Sequence, residues 1–257
     1  MRVIHHGDCL AWMATLANRS VDVVITDPPY SPDVHGKSRA GGRALNMGNG
    51  KPTFNREVEF GFDAITQDQM EAVADQCERL AKRWVLIFCD VESNHLWRGA
   101  LSSAGLEPVR IGAWVKDGCT PQFTGDRPAA GIEAVVIAHR PGKKRWNGGG
   151  KRAVWTYPVV QKRGAKISDR VHTTQKPLSL MLELVSLFSE PDELILDPFA
   201  GSGTTGVAAL RLGRRFAGAE QQEKYVTIAN ERLEAERNGS TLQASQAGQV
   251  PMFGAKC

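Results

Sequence analysis

"LILDPFAGSGTTGVAAL", residues 194–210, reads as a strand, a glycine-rich turn and a helix in immediate succession. Glu193–Leu196 supplies a short apolar run of strand length, stopped by Asp197-Pro198. Gly201 and Gly203 allow a tight turn and close approach of a ligand to the backbone, and Thr204 and Thr205 can cap the helix that begins there. Nineteen residues after Gly201, Glu220 stands at the end of the next strand, where an acid can hold both hydroxyls of a ribose. No Lys follows the glycines, which excludes a phosphate-gripping P-loop. A turn with no ligand is the bland alternative.

The same strand-to-helix rhythm runs outward from this unit in both directions. Strands are expected at Val3–His5, Asp22–Thr26, Trp84–Cys89, Val109–Val115, Glu133–Ala138, Glu193–Leu196 and Arg215–Ala219. Helical periods fill Leu10–Ala17, Gln67–Lys82, Glu92–Ala104, Pro177–Phe188, Thr204–Leu212 and Glu223–Arg237. Seven strands with crossover helices predict an α/β fold: a doubly wound, Rossmann-like, mostly parallel sheet. The step from Val109–Val115 to Glu133–Ala138 is hairpin-like and predicts one antiparallel edge strand.

Two stretches break the rhythm. Residues 31–59 are rich in Gly, Asn, Arg and Lys and without period, as expected either of a loop that moves over a site or of a disordered segment. Between His139 and Arg170 lie ten Lys or Arg and a single acid, Asp169, a local balance of +9 in a chain whose net charge is +4. A basic insert carrying Trp146 and Trp155 on an otherwise acidic body points to a polyanion, nucleic acid above all. The expected organisation is therefore a main domain of 1–138 and 172–237, an insert of 139–171 and an unfolded polar tail of 238–257.

Composition narrows the classes. A 257-residue chain with 42% hydrophobic residues suits one packed domain with an insert. No apolar run reaches the ~20 residues of a membrane span, and the opening "MRVIHHGDCL" is not a signal peptide, so a cytoplasmic protein is expected. The five cysteines form no C-x-x-C pair and His5, His6 and His35 lack ligand spacing, so no metal site is expected.

A second motif, "TDPPYS" at residues 26–31, follows the apolar run Val21–Ile25. Asp27 ends that strand, while Pro28 and Pro29 remove two N–H donors and leave carbonyls free to accept hydrogen bonds. Tyr30 adds a flat face nearby. A tight turn after a strand is the bland reading.

"DPPY", "HTTQKP" and "DPFAGSGTT", in that order and with a basic segment between the first two, resemble the beta class of DNA amino-methyltransferases. In that class the cofactor glycines follow the catalytic tetrapeptide, a circular permutation of the commoner order. The resemblance runs from Gly7-Asp8 to about Leu233, and Thr173 stands where the family more often has proline. It implies S-adenosylmethionine as cofactor, no metal, and duplex DNA as substrate. It also implies a catalytic set of Asp27, Pro28, Pro29 and Tyr30, with the Asp27 carboxylate and Pro28 carbonyl accepting hydrogen bonds from an exocyclic amino group. That requirement is physical: an aromatic amino nitrogen shares its lone pair with the ring, and two acceptors on its hydrogens localise that pair toward an incoming carbon. Tyr30 would stack on the target after it is flipped out of the duplex.

For the cofactor, the resemblance implies Asp8, Asp27, Thr174, Gln175, Lys176, Phe199, Ala200, Gly201, Ser202, Gly203, Thr204 and Glu220. Lys176 would face the cofactor's carboxylate. In the target-recognition insert, the expected DNA contacts are Lys143, Lys144, Arg145, Trp146, Lys151, Arg152, Lys162 and Arg163, whose division between bases and phosphates is left open. The resemblance also implies adenine-N6 over cytosine-N4, because enzymes of the latter group more often have Ser where Asp27 stands. No cysteine follows a proline, which excludes attack on cytosine carbon. A decayed, non-catalytic DNA-binding protein and a dinucleotide oxidoreductase are the readings from other classes, and the latter leaves DPPY and the basic insert unexplained. Two partners complete the expectations: a second copy in a homodimer, and a sliding clamp docked by Gln249–Phe253.

Overall fold

The computed structural model describes residues 4–30, 64–119, 128–160 and 175–240. Eight strands form one sheet: β1 (Ile4–His6), β2 (Val23–Thr26), β3 (Trp84–Cys89), β4 (Glu107–Asp117), β5 (Ile132–His139), β6 (Val154–Pro158), β7 (Leu194–Asp197) and β8 (Arg215–Glu220). Their spatial order is β1-β8-β7-β2-β3-β5-β4-β6. Only β5 runs against the others, pairing antiparallel with both β3 and β4. The helices are α1 (Cys9–Thr15), α2 (Gln67–Leu80), α3 (Asn94–Ser103), α4 (Leu178–Phe188), α5 (Thr204–Arg211) and α6 (Glu223–Arg237).

Strand alternation sorts the core into two layers. Val23, Ile25, Leu86, Phe88, Val135 and Ile137 point to the face covered by α4, α5 and α6. Val24, Val85, Ile87, Val136 and Ala138 point to the face covered by α1, α2 and α3. Successive residues project to opposite sides, so a strand buried on both faces must be apolar throughout, and β3 is buried at every position.

Two expectations are corrected here. Among the described residues the sheet has eight strands, not seven, and the antiparallel strand is interior, not an edge. All of β5 after Ile132 is buried, which marks a strand covered on both faces and flanked on both sides. The additional strand, β6, comes from the basic insert and pairs parallel with β4 from Ala113↔Val154 to Asp117↔Pro158. Its signal was obscured because only Trp155 of its five residues is buried. Trp155 packs against Gly112, where any Cβ would lie 2.5 Å from the ring.

Candidate active site

The strand order reverses between β2 and β7. These two are parallel neighbours, yet β3, the strand after β2, lies on one side of the pair and β8, the strand after β7, on the other. At such a switch point the two following loops diverge and open a crevice at the carboxyl ends of the strands. The loops in question are those of Asp27–Tyr30 after β2 and Asp197–Thr204 after β7. Motifs some 170 residues apart in sequence thus meet because their strands adjoin.

On the β7 side, Gly201 and Gly203 both take the left-handed conformation, at φ 51° and 79°. Around them the turn is tied at three points. Buried Asp197 accepts from the Phe199 N–H at 3.1 Å, the Thr26 hydroxyl at 2.7 Å and the Thr205 hydroxyl at 2.6 Å. Burial pushes the Asp197 carboxyl up to about 6 against the pull of these donors. Glu220 Oε2 accepts from the Gly201 N–H at 3.0 Å and Oε1 from the Gln222 N–H at 2.8 Å, fixing the carboxylate beside the glycine turn. Arg232 of α6 donates to the Ser202 carbonyl at 2.5 Å and lies 3.2 Å from Thr204 Oγ1. Asp8 caps α1 by accepting from the Ala11 N–H at 2.8 Å, and the preceding Gly7 N–H donates to the Glu220 carbonyl at 3.1 Å, which brings Asp8 to the same end of the sheet.

On the β2 side, Asp27 Oδ2 accepts a hydrogen bond from the ammonium of Lys176. Oδ1 is buried and accepts none from any described residue. Burial pushes the Asp27 carboxyl up to about 6; the Lys176 ammonium opposes this and the Glu133 carboxylate adds to it. Lys176 Nζ also lies 3.1 Å from Glu133 Oε2 and 3.4 Å from the Tyr30 hydroxyl, with the Phe88, Tyr30 and Trp114 ring centroids 5.1, 5.6 and 5.9 Å away. Burial works against the Lys176 charge, but the two carboxylates outweigh it and hold the ammonium above its usual range. Glu133 Oε1 in turn pairs with Lys116 Nζ at 2.7 Å.

The structure therefore gathers Asp8, Asp27–Tyr30, Lys176, Phe199–Thr204 and Glu220 at one end of the sheet. It sets Lys176 on Asp27 and Glu133. Thr174, Lys162, Arg163 and the Gln249–Phe253 segment lie outside the described residues, as does the expected loop of 31–59. Glu133, Lys116, Trp114, Asp197 and Arg232 were missed from sequence. Asp197 alone carried a signal, as the first residue of D-P-F immediately before the turn. Among the described residues no cluster of His, Cys, Asp and Glu could hold a metal ion. Cys77 is fully buried, and burial pushes its thiol up to about 12.

The family profile described as DNA methylase, for N6 and N4 methyltransferases, matches residues 21–231. The chain belongs to that family. It is 28% identical over 256 residues to the type II methyltransferase M2.DpnII of Streptococcus pneumoniae, covering 91% of this chain and 90% of that one. Its fold matches the M1.HpyAVI–SAM complex with a TM-score of 0.64 at 25% identity, covering 91% of this chain and 99% of that one. It also matches the cytosine-N4-specific PvuII DNA methyltransferase with a TM-score of 0.64, at 15% identity and covering 96% and 93% of the two chains; that likeness concerns the fold alone.

In this DNA methylase the basic segment is partly core. The Trp146 ring lies 4.8 Å from that of Phe188, and its N–H donates to the Gly149 carbonyl at 2.9 Å. Lys144 pairs with Glu107, Arg145 with Glu190 at 3.2 Å and Lys151 with Glu183 at 2.9 Å. Lys143 and Arg152 are exposed and make no ion pair among the described residues. No described helix is long and apolar enough to cross a membrane.

Proposed function

We propose that this member of the DNA methylase family transfers a methyl group from S-adenosylmethionine to the exocyclic N6 amino group of adenine, flipped out of duplex DNA. The observation that carries the reading is Asp27 Oδ1: a buried carboxylate oxygen without a donor, at the end of β2 and beside the glycine turn. A buried acceptor left without a donor costs ~1–3 kcal/mol, a cost that an arriving amino group offsets.

The residues present fit the cofactor. A Cβ built on Gly201 meets nothing within 4 Å, so the backbone of the turn is open to a ligand. Glu220 is held in one orientation by two backbone N–H groups, as an acid gripping a ribose diol requires. Phe199–Thr204 would line the remainder, with Asp8 and Gln175 nearby. Bound there, S-adenosylmethionine supplies a methyl carbon made electrophilic by its positive sulfur.

The chain's own residues perform the rest. Asp27 Oδ1 and the Pro28 carbonyl accept the two amino hydrogens, which draws the nitrogen out of conjugation and aims its lone pair. Pro28 and Pro29 have no N–H to compete for those acceptors. The Tyr30 ring stacks on the base. Once the nitrogen carries its new carbon, it releases a proton, and Asp27, ionised above about 6, can take it and pass it to water.

Exposed Lys143 and Arg152 suit phosphate contacts, and the insert of 139–171 serves target recognition, its described Val154–Pro158 being joined to the sheet as β6. A homodimer suits a palindromic target. The same acceptor geometry serves a cytosine-N4 amino group, the second target within the N6 and N4 family. Incubation with tritiated methyl donor and duplex DNA, followed by nucleoside mass spectrometry, decides among these. N6-methyladenine is expected, N4-methylcytosine would transfer the assignment to the other base, and absence of label from DNA would defeat the reading. Asp27→Ala is expected to abolish incorporation.

A further inference from the structure

Amino-group methylation as proposed uses Asp27, Pro28 and Tyr30 and leaves three charged residues beside them without a part: Lys176, Glu133 and Lys116. Glu133 stands near the beginning of β5, opposite Trp114 of β4. Because β5 is antiparallel, its first residues lie at the end of the sheet where β2, β3 and β4 finish. A parallel strand in that position would bring its carboxyl end here instead. Alternation then turns Glu133 to the same face as Val135 and Ile137, the face on which Phe88, Trp114 and Lys176 lie.

Glu133 is 8% exposed and Lys176 7%. A carboxylate and an ammonium taken this far from water persist as ions only when opposite charges surround them. The four groups form an alternating chain: Lys116 to Glu133 at 2.7 Å, Glu133 to Lys176 at 3.1 Å, and Lys176 to Asp27 Oδ2. A lysine stem is flexible, and with Asp27 as its only partner the ammonium could swing across both carboxylate oxygens. The second carboxylate limits it to one. Burial alone would raise the Glu133 carboxyl, yet Lys176 and Lys116 hold it below the ordinary range, so it remains charged and keeps its grip.

We propose that Glu133, itself anchored by Lys116, is a positioning residue for the methyl transfer: it shares Lys176 with Asp27, confines the ammonium to Oδ2, and so keeps Oδ1 available to the amino group. The proposal rests on the amino-transfer reading for its catalytic consequence, but the relay itself is a property of the protein alone. A purely structural ion pair would stabilise the fold without governing Asp27.

The charged and titratable groups that act on Asp27 or meet it in the relay are Lys176, Glu133, Lys116, Asp197, Tyr30 and Cys89. Carbon-13 NMR of the full chain labelled at aspartate carboxyls, with the Asp27 signal assigned through Asp27→Asn, reads the relay without cofactor or DNA. Glu133→Gln removes a negative charge and should move the Asp27 midpoint down by roughly one pH unit, whereas Lys116→Gln should move it up by a similar amount. In steady-state methylation, Glu133→Gln should lower kcat by about 10²-fold while cofactor affinity stays within about threefold, the pattern of a misplaced group and not of a lost binding contact. The acid limb of kcat should follow the NMR midpoints in both variants. Midpoints unmoved in both variants, or full kcat in folded Glu133→Gln, would overturn the proposal. Should Glu133→Gln fail to fold, Lys116→Gln, at the more exposed end of the relay, decides alone. A parent enzyme that methylates no DNA would sink the proposed function, and the NMR arm would still judge the relay.

Discussion

Thr26 and Asp197 are joined across the two strands on which the site turns: the Thr26 hydroxyl donates to Asp197 Oδ1 at 2.7 Å. Thr26 immediately precedes Asp27, and Asp197 immediately precedes the Pro198 that opens the glycine turn. One buried hydrogen bond thus ties Asp27 to the glycine turn, the proposed amino-group acceptor to the proposed cofactor cradle. Transfer between two bound partners depends on their separation more than on any single contact.

Replacing Asp197 by Asn puts an amide N–H₂ where one of its donors now points, against either Thr205 or the Thr26–Phe199 pair. Asp197→Asn should lower stability at pH 7 by about 1–3 kcal/mol in urea unfolding and weaken cofactor binding in calorimetry. The pH dependence carries a sign. Asp197 titrates at 3.8 when unfolded and about 6 when folded, so the native state prefers the proton. The parent therefore loses stability as pH rises through this window, and Asp197→Asn should show a shallower slope there.

In the proposed reaction Asp27 must be ionised to accept both as a charge and as a base. With its carboxyl at about 6, kcat should be level above that pH and fall towards tenfold per unit below it. A pH profile of single-turnover methylation in the parent measures this directly. An acid limb near 4, the usual carboxylate range, would contradict the burial argument.

The two glycines of the turn should separate stability from binding. A Cβ on Gly203 would sit 3.0 Å from that of Ala229, whereas one on Gly201 meets open space. Both residues are left-handed, which costs an alanine ~1–2 kcal/mol. Gly203→Ala should therefore show the larger fall in melting temperature. Gly201→Ala should keep more of its stability and lose cofactor affinity by about tenfold or more, because its methyl would take up open space that the proposed function gives to the cofactor.

The basic segment should divide into residues of the fold and residues of the surface. Trp155→Ala should cost about 3–5 kcal/mol, because the ring fills the space above Gly112 and seats β6. Arg152→Ala should leave stability within about 0.5 kcal/mol, weaken DNA binding evenly across sequences and reduce the salt slope by about one. Thermal melts and salt-dependent DNA binding distinguish the two.

Local pattern carried much of the architecture because local pattern has a physical cause. Apolar runs such as Trp84–Cys89 are strands buried on both faces, and the turn of Gly201 and Gly203 needs left-handed residues. The strands at Val23–Thr26 and Leu194–Asp197 and the tetrapeptide Asp27–Tyr30 were legible for the same reason. β6 was not, since Val154 and Thr156 face solvent and cationic neighbours hide the alternation.

What the sequence determined by itself was every described element but β6, the two loop motifs and the family. Periodicity, glycine and proline act within a few residues, and so can be read without knowing who sits beside whom. Only the tertiary structure decided that β5 is interior, that Glu133 reaches Lys176, and that Lys176 rests on Asp27. Those relations depend on strand order and on which end of a strand faces the crevice, and no local signal encodes either. The charge of Glu133 is tolerable only because Lys116 and Lys176 arrive from other strands and loops, so its meaning exists only once the chain has folded.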